Sequence, residues 1–431
     1  MKVGIKVLGC PKNEADCDVL AGILKDKGHK IVKSVDEADI VVLDTCAFIE
    51  DAKKEAIEEI FSFIEAKNNG YKFKLVVKGC LVQRYYKDLK REIPEVDQWI
   101  GVAAPEKIVA ALERGEDLIP DRPETVYSYR RRFSLEEKPF AYVKISDGCD
   151  RGCTFCSIPS FKGRLRSREI EDVVREVEDL LKMGKKEIIL VAQDTTSYGV
   201  DLYGKQVLPD LLRNLNSLKG DFWIRVMYLH PDHLTKNIIE AMLNLEKVVK
   251  YFDVPVQHGS DRILKLMGRA KGSEELKRML FYIREKFPDA ILRTSIIVGF
   301  PSETEEDFEK LKRFVEEVQF DKLGVFTYSD EEGTVAYTLT KKVEPETAQR
   351  RQEELLMIQS EISYNRLERF LNKKMRFLVE GKEGEYLVGR SWTEAPEVDG
   401  IVLVKGEGNI GDFLDIVIKE HDEYDMWGLP V

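Results

Sequence analysis

Cys149-Asp150-Arg151-Gly152-Cys153-Thr154-Phe155-Cys156 is a C-x3-C-x2-C run directly after the extended stretch 140–145. Three thiolates on one tight loop can hold three corners of a cubane iron–sulfur cluster, which leaves the fourth iron without a protein ligand. An open iron is what a reactive cluster needs, whereas an electron carrier normally takes four cysteines. Zinc sites usually join two C-x2-C pairs, or one pair with spaced histidines, and no such partner follows here. A structural zinc loop and unligated thiols are the alternatives at this point.

Working outward, βα alternation continues to about residue 340. The strand candidates are 140–145, 187–191, 223–227, 251–256, 290–298 and 322–326, and helical stretches such as 170–183, 209–218, 273–286 and 305–317 separate them. Six βα units predict an open, partial (βα)6 barrel with its working groups at the C-terminal strand ends. A long helix, 346–370, closes this region.

Upstream, the first 120 residues read βαβαβ. Apolar runs 2–8, 40–43 and 73–77 alternate with helical stretches 14–27, 51–67 and 82–91, which predicts a doubly wound parallel sheet. Each run ends near a cysteine: Cys10, Cys46 and Cys80. In a parallel sheet all three would lie at the carboxyl edge, where such folds place ligands. They form a second candidate three-thiolate site, the alternative being ordinary buried packing. Cys17, inside the first helix, reads as packing.

Downstream, residues 371–431 carry short strands with glycine turns (375–380, 385–390, 400–404, 413–418), suited to a small β-barrel of oligonucleotide-binding type. The domain order is 1–120, a proline-containing linker 121–138, 139–370 and 371–431.

Composition narrows the class. The 431 residues are 43% apolar, enough for full cores, and no apolar run approaches the roughly 18 residues of a membrane span. The N-terminus reads as a strand, not a signal peptide, so a cytoplasmic location with reduced cysteines is expected. A charged fraction of 34%, rich in Lys and Glu, leans towards a thermophile. A net charge of −11 argues against a protein that coats nucleic acid broadly, while Arg130-Arg131-Arg132 and the stretch 162–168 suggest a local basic patch.

The C-x3-C-x2-C loop resembles that of the radical S-adenosylmethionine (SAM) enzymes. The whole chain resembles one subgroup, the methylthiotransferases, whose C-terminal barrel is a TRAM domain. Leu8-Gly-Cys-Pro-Lys-Asn13, Asp44-Thr-Cys-Ala-Phe48 and Lys78-Gly-Cys80 carry the likeness in the first domain. Pro255-Val-Gln-His-Gly-Ser260 and Thr294-Ser-Ile-Ile-Val-Gly-Phe-Pro-Ser-Glu-Thr304 carry it in the barrel. One departure is Asp44, where the family is expected to have Asn. Within the subgroup, Gly-Cys-Pro-Lys-Asn resembles the branch that modifies an aspartate of the twelfth small-subunit ribosomal protein. The tRNA-modifying branch typically shows Gly-Cys-Gln-Met-Asn. The acidic last domain, with 7 Lys+Arg against 13 Asp+Glu, also suits a basic protein partner better than RNA.

The resemblance implies two [4Fe–4S] clusters and S-adenosyl-L-methionine. Cys149, Cys153 and Cys156 would hold the cluster whose open iron chelates SAM and whose electron cleaves it to a deoxyadenosyl radical. Cys10, Cys46 and Cys80 would hold the cluster that carries the sulfur, and a second SAM supplies the methyl group. The implied product is 3-methylthioaspartate. Phe155, Val298 and Gly299 are candidate SAM contacts through backbone, and Gln193, Asp194 and Gln257 through strand-end side chains. Arg225 and Arg293 are candidates to pair with the SAM carboxylate. Implied partners are the ribosomal protein, free or in the assembled subunit, and a low-potential ferredoxin or flavodoxin. The rival readings are a tRNA methylthiotransferase and a non-catalytic iron–sulfur factor that binds ribosome or RNA.

Overall fold

A continuous apolar run such as Ile40–Thr45 is stable only as a strand covered on both faces, and all six of its residues are buried. In the computed structural model, which describes residues 1–123 and 127–431, this strand is central in a parallel five-stranded sheet. The strands are β1 (Lys2–Val7), β2 (Lys30–Val32), β3 (Ile40–Thr45), β4 (Lys74–Gly79) and β5 (Gln98–Ile100), in the order β2-β1-β3-β4-β5. Helices α1 (Pro11–Asp26), α2 (Glu50–Asn68), α3 (Cys80–Glu92) and α4 (Pro105–Arg114) cover it. Val41 and Leu43 pack with Ile60 and Phe63 of α2, and Ile40 and Val42 with Val19 of α1 and Leu112 of α4. The sequence reading found β1, β3 and β4 and missed β2, β5 and α4. Both missed strands are three residues long, too short to show a period.

The second unit opens with β6 (Phe140–Lys144). A two-residue ribbon, β7 (Ser146–Asp147) with β8 (Arg166–Ser167), flanks the cysteine loop and the short helix α5 (Ile158–Lys162). After α6 (Ile170–Lys182) come β9 (Glu187–Val191), β10 (Trp223–Val226), β11 (Tyr251–Asp253), β12 (Ile291–Val298) and β13 (Lys322–Thr327). They form two parallel three-stranded sheets, β6-β9-β10 and β11-β12-β13, which adjoin where the Leu229 N–H donates to the Asp253 carbonyl at 2.9 Å. This is the expected six-stranded open barrel, with β6 and β13 as its free edges. The first domain straddles that opening. Ala15 of α1 packs with Phe140 and Tyr142 of β6, and Arg84 of α3 binds Glu331, in the loop after β13, at 2.6 Å.

The linker clamps the two units together. Arg132 is buried and pairs with Asp18 of α1 and Glu176 of α6, both at 2.8 Å. Lys162 and Arg168 are buried too, Arg168 against Glu176 at 2.5 Å. The basic stretches therefore divide: Arg132, Lys162 and Arg168 are internal counter-ions, while Arg130, Arg131 and Arg164 stay exposed.

The helix Pro345–Leu367 leads to the last domain, a closed barrel of β14 (Lys374–Glu383), β15 (Tyr386–Ser391), β16 (Val402–Lys405), β17 (Phe413–His421) and β18 (Met426–Pro430). The sequence reading missed β18. This barrel stops the bottom of the larger one: Tyr142, Ile189, Trp223 and Tyr251 share one apolar core with Phe377, Val379, Val404 and Ile418. Among the described residues no helix is long and apolar enough to cross a membrane.

Candidate active site

The order β2-β1-β3-β4-β5 reverses direction between β1 and β3, and ligands in such sheets bind outside the strand ends at that point. Cys10 caps α1 just after β1, Cys46 follows β3, and Cys80 is the first residue of α3 after β4. Glycines let the three loops converge. Gly9 stands at φ 120°, and a Cβ there would lie 3.0 Å from the Cβ of Cys46. Gly79 stands at φ 111°, and a Cβ there would lie 2.6 Å from the Thr45 carbonyl and from Asp44 Oδ1. Beneath them, Lys78 Nζ pairs with Asp44 Oδ1 at 2.7 Å, both buried. Cys17 is fully buried and its Sγ donates to Asp44 Oδ2 at 3.5 Å, a packing role as expected. A cavity of about 190 Å³ reaches Cys10 from the side of the linker and the last domain.

The second triplet is held by backbone. The Cys149 N–H donates to the Gly163 carbonyl at 3.0 Å, Thr154 N–H to the Met267 carbonyl at 3.0 Å, and Ala336 N–H to the Thr154 carbonyl at 2.9 Å. The Arg151 N–H donates to Cys149 Sγ at 3.4 Å. Burial pushes the thiols up, to about 11 for Cys46 and Cys149 and about 12 for Cys80 and Cys156. Such thiols stay protonated until a cation is bound beside them, when a coordinating thiol is deprotonated outright. Each triplet thus offers three sulfur donors, although among the described residues no three Cys, His, Asp or Glu side chains stand close enough together to hold a metal ion as they are.

Between the triplets lies a buried ionic network. Asp147, just before Gly148-Cys149, accepts from Gln193 Nε2 at 2.6 Å and from the Gly148 N–H at 2.9 Å. Its other oxygen meets Lys144 at 3.2 Å and Lys162 at 3.4 Å, and Lys144 also pairs with Asp16 of α1. Lys12, two residues after Cys10, places its ammonium 4.2 Å from the centre of the Tyr228 ring at the end of β10. Burial works against the charge on Lys12, but Cys10, Tyr228 and Asp147 outweigh it and raise its pKa. His230 Nε2 lies 3.7 Å from Cys153 Sγ and 2.7 Å from Arg269 NH1. Burial, then Arg269, pushes His230 down to about 3, so it is neutral at physiological pH.

The remaining expected residues divide. Gln193 supports Asp147, and Asp194 binds Arg151 Nε of the cysteine loop at 2.8 Å. Phe155 packs against Met267 and Phe300 under that loop. Gln257 sits after β11 at φ 72°. Val298 is buried, and Gly299 is needed for another reason than expected: a Cβ there would lie 2.5 Å from the Cβ of Ala348 on the long helix. Arg225 and Arg293 are corrections. Arg225 is fully buried, with Nε on Glu187 at 2.6 Å and NH1 on the Trp392 carbonyl at 3.2 Å. Arg293 binds Asp253 at 2.8 Å and reaches Asp399 at 3.7 Å. Both anchor the last domain. Sequence reasoning missed Lys12, Asp147, Lys162, Tyr228, His230 and Arg269. Three of them carried a positional signal: Asp147 lies two residues beyond the predicted strand 140–145, and Tyr228 and His230 lie one and three beyond 223–227.

Known proteins bear on this geometry. The radical SAM superfamily profile matches residues 143–315, that of uncharacterized protein family UPF0004 matches residues 2–101, and the TRAM domain profile matches residues 373–431. Solved structures with this fold include the radical SAM methyltransferase TsrM of Kitasatospora setae, at TM-score 0.55 and 14% identity over 76% of this chain and 72% of that one. The cobalamin-dependent radical SAM enzyme OxsB matches at TM-score 0.52 and 13% identity over 83% of this chain, which spans 56% of OxsB. Curated relatives match end to end. The ribosomal protein uS12 methylthiotransferase RimO of Thermotoga maritima is 77% identical over 428 residues, 99% of each chain. Those of Pseudothermotoga lettingae and Petrotoga mobilis are 56% and 48% identical, again over 99% of each. On that full-length identity the chain belongs to the ribosomal protein uS12 methylthiotransferase family of radical SAM enzymes.

Proposed function

We propose that this chain methylthiolates an aspartate of ribosomal protein uS12 at its β-carbon, giving 3-methylthioaspartate. The end-to-end identity of 77% with a uS12 methylthiotransferase carries the reading. In support, Cys10, Cys46 and Cys80 follow three parallel strands of one sheet, and Cys149, Cys153 and Cys156 share the loop after β6. When bound, SAM and a cluster on Cys149, Cys153 and Cys156 supply a radical able to take hydrogen from an unactivated C–H bond. A second cluster on Cys10, Cys46 and Cys80 is the proposed sulfur carrier.

The protein's own residues hold these parts in register. Asp147, through Gln193, Lys144 and Lys162, ties the loop of the second triplet to the first domain. Asp194 fixes Arg151, and Arg269 directs neutral His230 towards Cys153. Phe155, Gln193, Asp194, Gln257, Val298 and Gly299 remain the candidate SAM contacts. Sealing the barrel floor with the last domain keeps water from the lumen. Domain limits of 1–120, 139–370 and 371–431, a cytoplasmic location, and a ferredoxin or flavodoxin donor complete the proposal.

The test is an anaerobic assay of the reconstituted, reduced protein with SAM and two substrates, uS12 and bulk tRNA, each read by mass spectrometry. The expected result is the mass of one methylthio group replacing hydrogen on a uS12 aspartate. The same gain on a tRNA adenosine instead would overturn the reading.

A further inference from the structure

Four lysines are buried around the two triplets: Lys12, Lys78, Lys144 and Lys162. Three of them meet a carboxylate, Lys78 on Asp44, Lys162 on Asp147, and Lys144 on Asp16 and Asp147. Lys12 is different. It is 9% exposed, and among the described residues no carboxylate pairs with it; its recorded partner is the face of the Tyr228 ring. Asp147 favours its charge from a distance, but no anion is in direct contact with the ammonium, and a buried ammonium gains most from an anion that pairs with it directly.

Three features aim this site at an anion from outside the chain. Lys12 lies in the first turn of the 16-residue helix α1, whose macrodipole adds partial positive charge at that end. Tyr228 is held at φ 61°, a left-handed conformation that is unfavourable for an aromatic residue. Its N–H is pinned to Asp253 Oδ2 at 2.9 Å and its carbonyl to the Thr195 N–H at 3.1 Å, and strain so over-determined is typical of ligand clamps. Finally, Lys12 belongs to the loop of Cys10 while Tyr228 belongs to the barrel mouth, so the ammonium stands where the first domain faces the barrel.

We propose that Lys12, steadied by the Tyr228 ring, binds the side-chain carboxylate of the target aspartate and thereby selects an acidic residue as the substrate. The inference rests on the aspartate reading above and deepens it. Pairing the carboxylate would fix the adjacent β-carbon, the atom that loses hydrogen, in one position. An asparagine has nearly the same shape but leaves the ammonium unpaired, and a site built around a buried polar group rejects such an analogue strongly.

The experiment compares the reconstituted wild type with Lys12→Met and Lys12→Arg, on uS12 and on uS12 with its target aspartate changed to asparagine. Iron and sulfide per chain are measured for each preparation. The wild type is expected to prefer the aspartate form by roughly 100-fold or more. Lys12→Met is expected to lose roughly that factor in kcat/KM on the aspartate form, chiefly through KM, and to bring the preference close to one. Lys12→Arg should recover most of the preference. The ratio of the two substrates does not depend on how much of a preparation carries clusters, so partial loading leaves the reading intact. A Lys12→Met protein that keeps the aspartate preference overturns the inference, and so does one that loses both activities in equal proportion. A wild type that modifies neither form overturns the aspartate reading itself, and the inference with it.

Discussion

The two cysteine triplets use the same donors and are built in opposite ways. Cys149, Cys153 and Cys156 sit on one loop, pinned by backbone bonds to Gly163, Met267 and Ala336. Cys10, Cys46 and Cys80 come from three strand ends and meet only because β1, β3 and β4 pair in register. The loop triplet depends on local sequence, and the dispersed one on a whole sheet. Differences between them should therefore show in how each tolerates damage, read as iron bound at each site.

The largest change is expected from the ligands. Cys153→Ala and Cys46→Ala should each lose roughly half the bound iron, and each should lower methylthiolation by at least about three orders of magnitude. The two losses differ in kind: Cys153→Ala abolishes SAM cleavage as well, measured as deoxyadenosine released. Equal loss of SAM cleavage in both would show that the sites are not separable.

Next come the glycines. Gly79→Ala would put a methyl 2.6 Å from two oxygens at φ 111°, costing about 2–4 kcal/mol and emptying mainly the dispersed triplet. Gly152, inside the loop triplet, has nothing within 4 Å of its would-be Cβ. Gly152→Ala should shift stability by less than about 0.5 kcal/mol. Thermal unfolding with iron analysis of both variants checks the contrast.

A smaller effect is expected at Asp44, the one departure from the family pattern. Asp44→Asn would leave Lys78, 6% exposed, without its carboxylate, costing about 2 kcal/mol and loosening the loops of Cys46 and Cys80. In Asp44→Asn/Lys78→Met the loss should be largely restored, as a double-mutant cycle on unfolding would show.

What the sequence made legible follows the same division. The position of the loop triplet, directly after β6, was readable because its three cysteines are neighbours in sequence. The dispersed triplet was readable because each cysteine follows an apolar run and parallel sheets align such ends. Contacts between domains were not readable. Arg225 and Arg293 sit on strands near a barrel lumen, as SAM-binding arginines would, but what stands opposite them is Glu187, Asp253 and Asp399. Nothing in a strand's own pattern tells which domain closes its lower end. Lys12 stood in a quoted motif, but its contact was not readable for the same reason: Tyr228 lies more than 200 residues away.

That floor gives the smallest expected change in bound iron, and it separates stability from loading. Glu187 is buried between Arg225 Nε and Arg390 NH2, both at 2.6 Å. Burial alone would push its carboxyl up, but Arg225 and Arg390 outweigh that and hold it below the ordinary glutamate value. The unfolded chain, at about 4.3, then takes up the proton before the folded one does. The stabilisation is full at neutral pH and is lost as the pH falls through the depressed folded value. Glu187→Gln should therefore cost about 3 kcal/mol near pH 7, and the gap from wild type should narrow below about pH 4. Trp223 and Trp392 lie at this junction, so denaturant unfolding followed by fluorescence at both pH values reads the gap. Both triplets lie at the opposite end of the strands, so iron content at neutral pH should stay at the wild-type level. Loss of iron in Glu187→Gln would mean that the floor also holds the mouth in shape, and that the loop triplet is less local than its backbone bonds suggest.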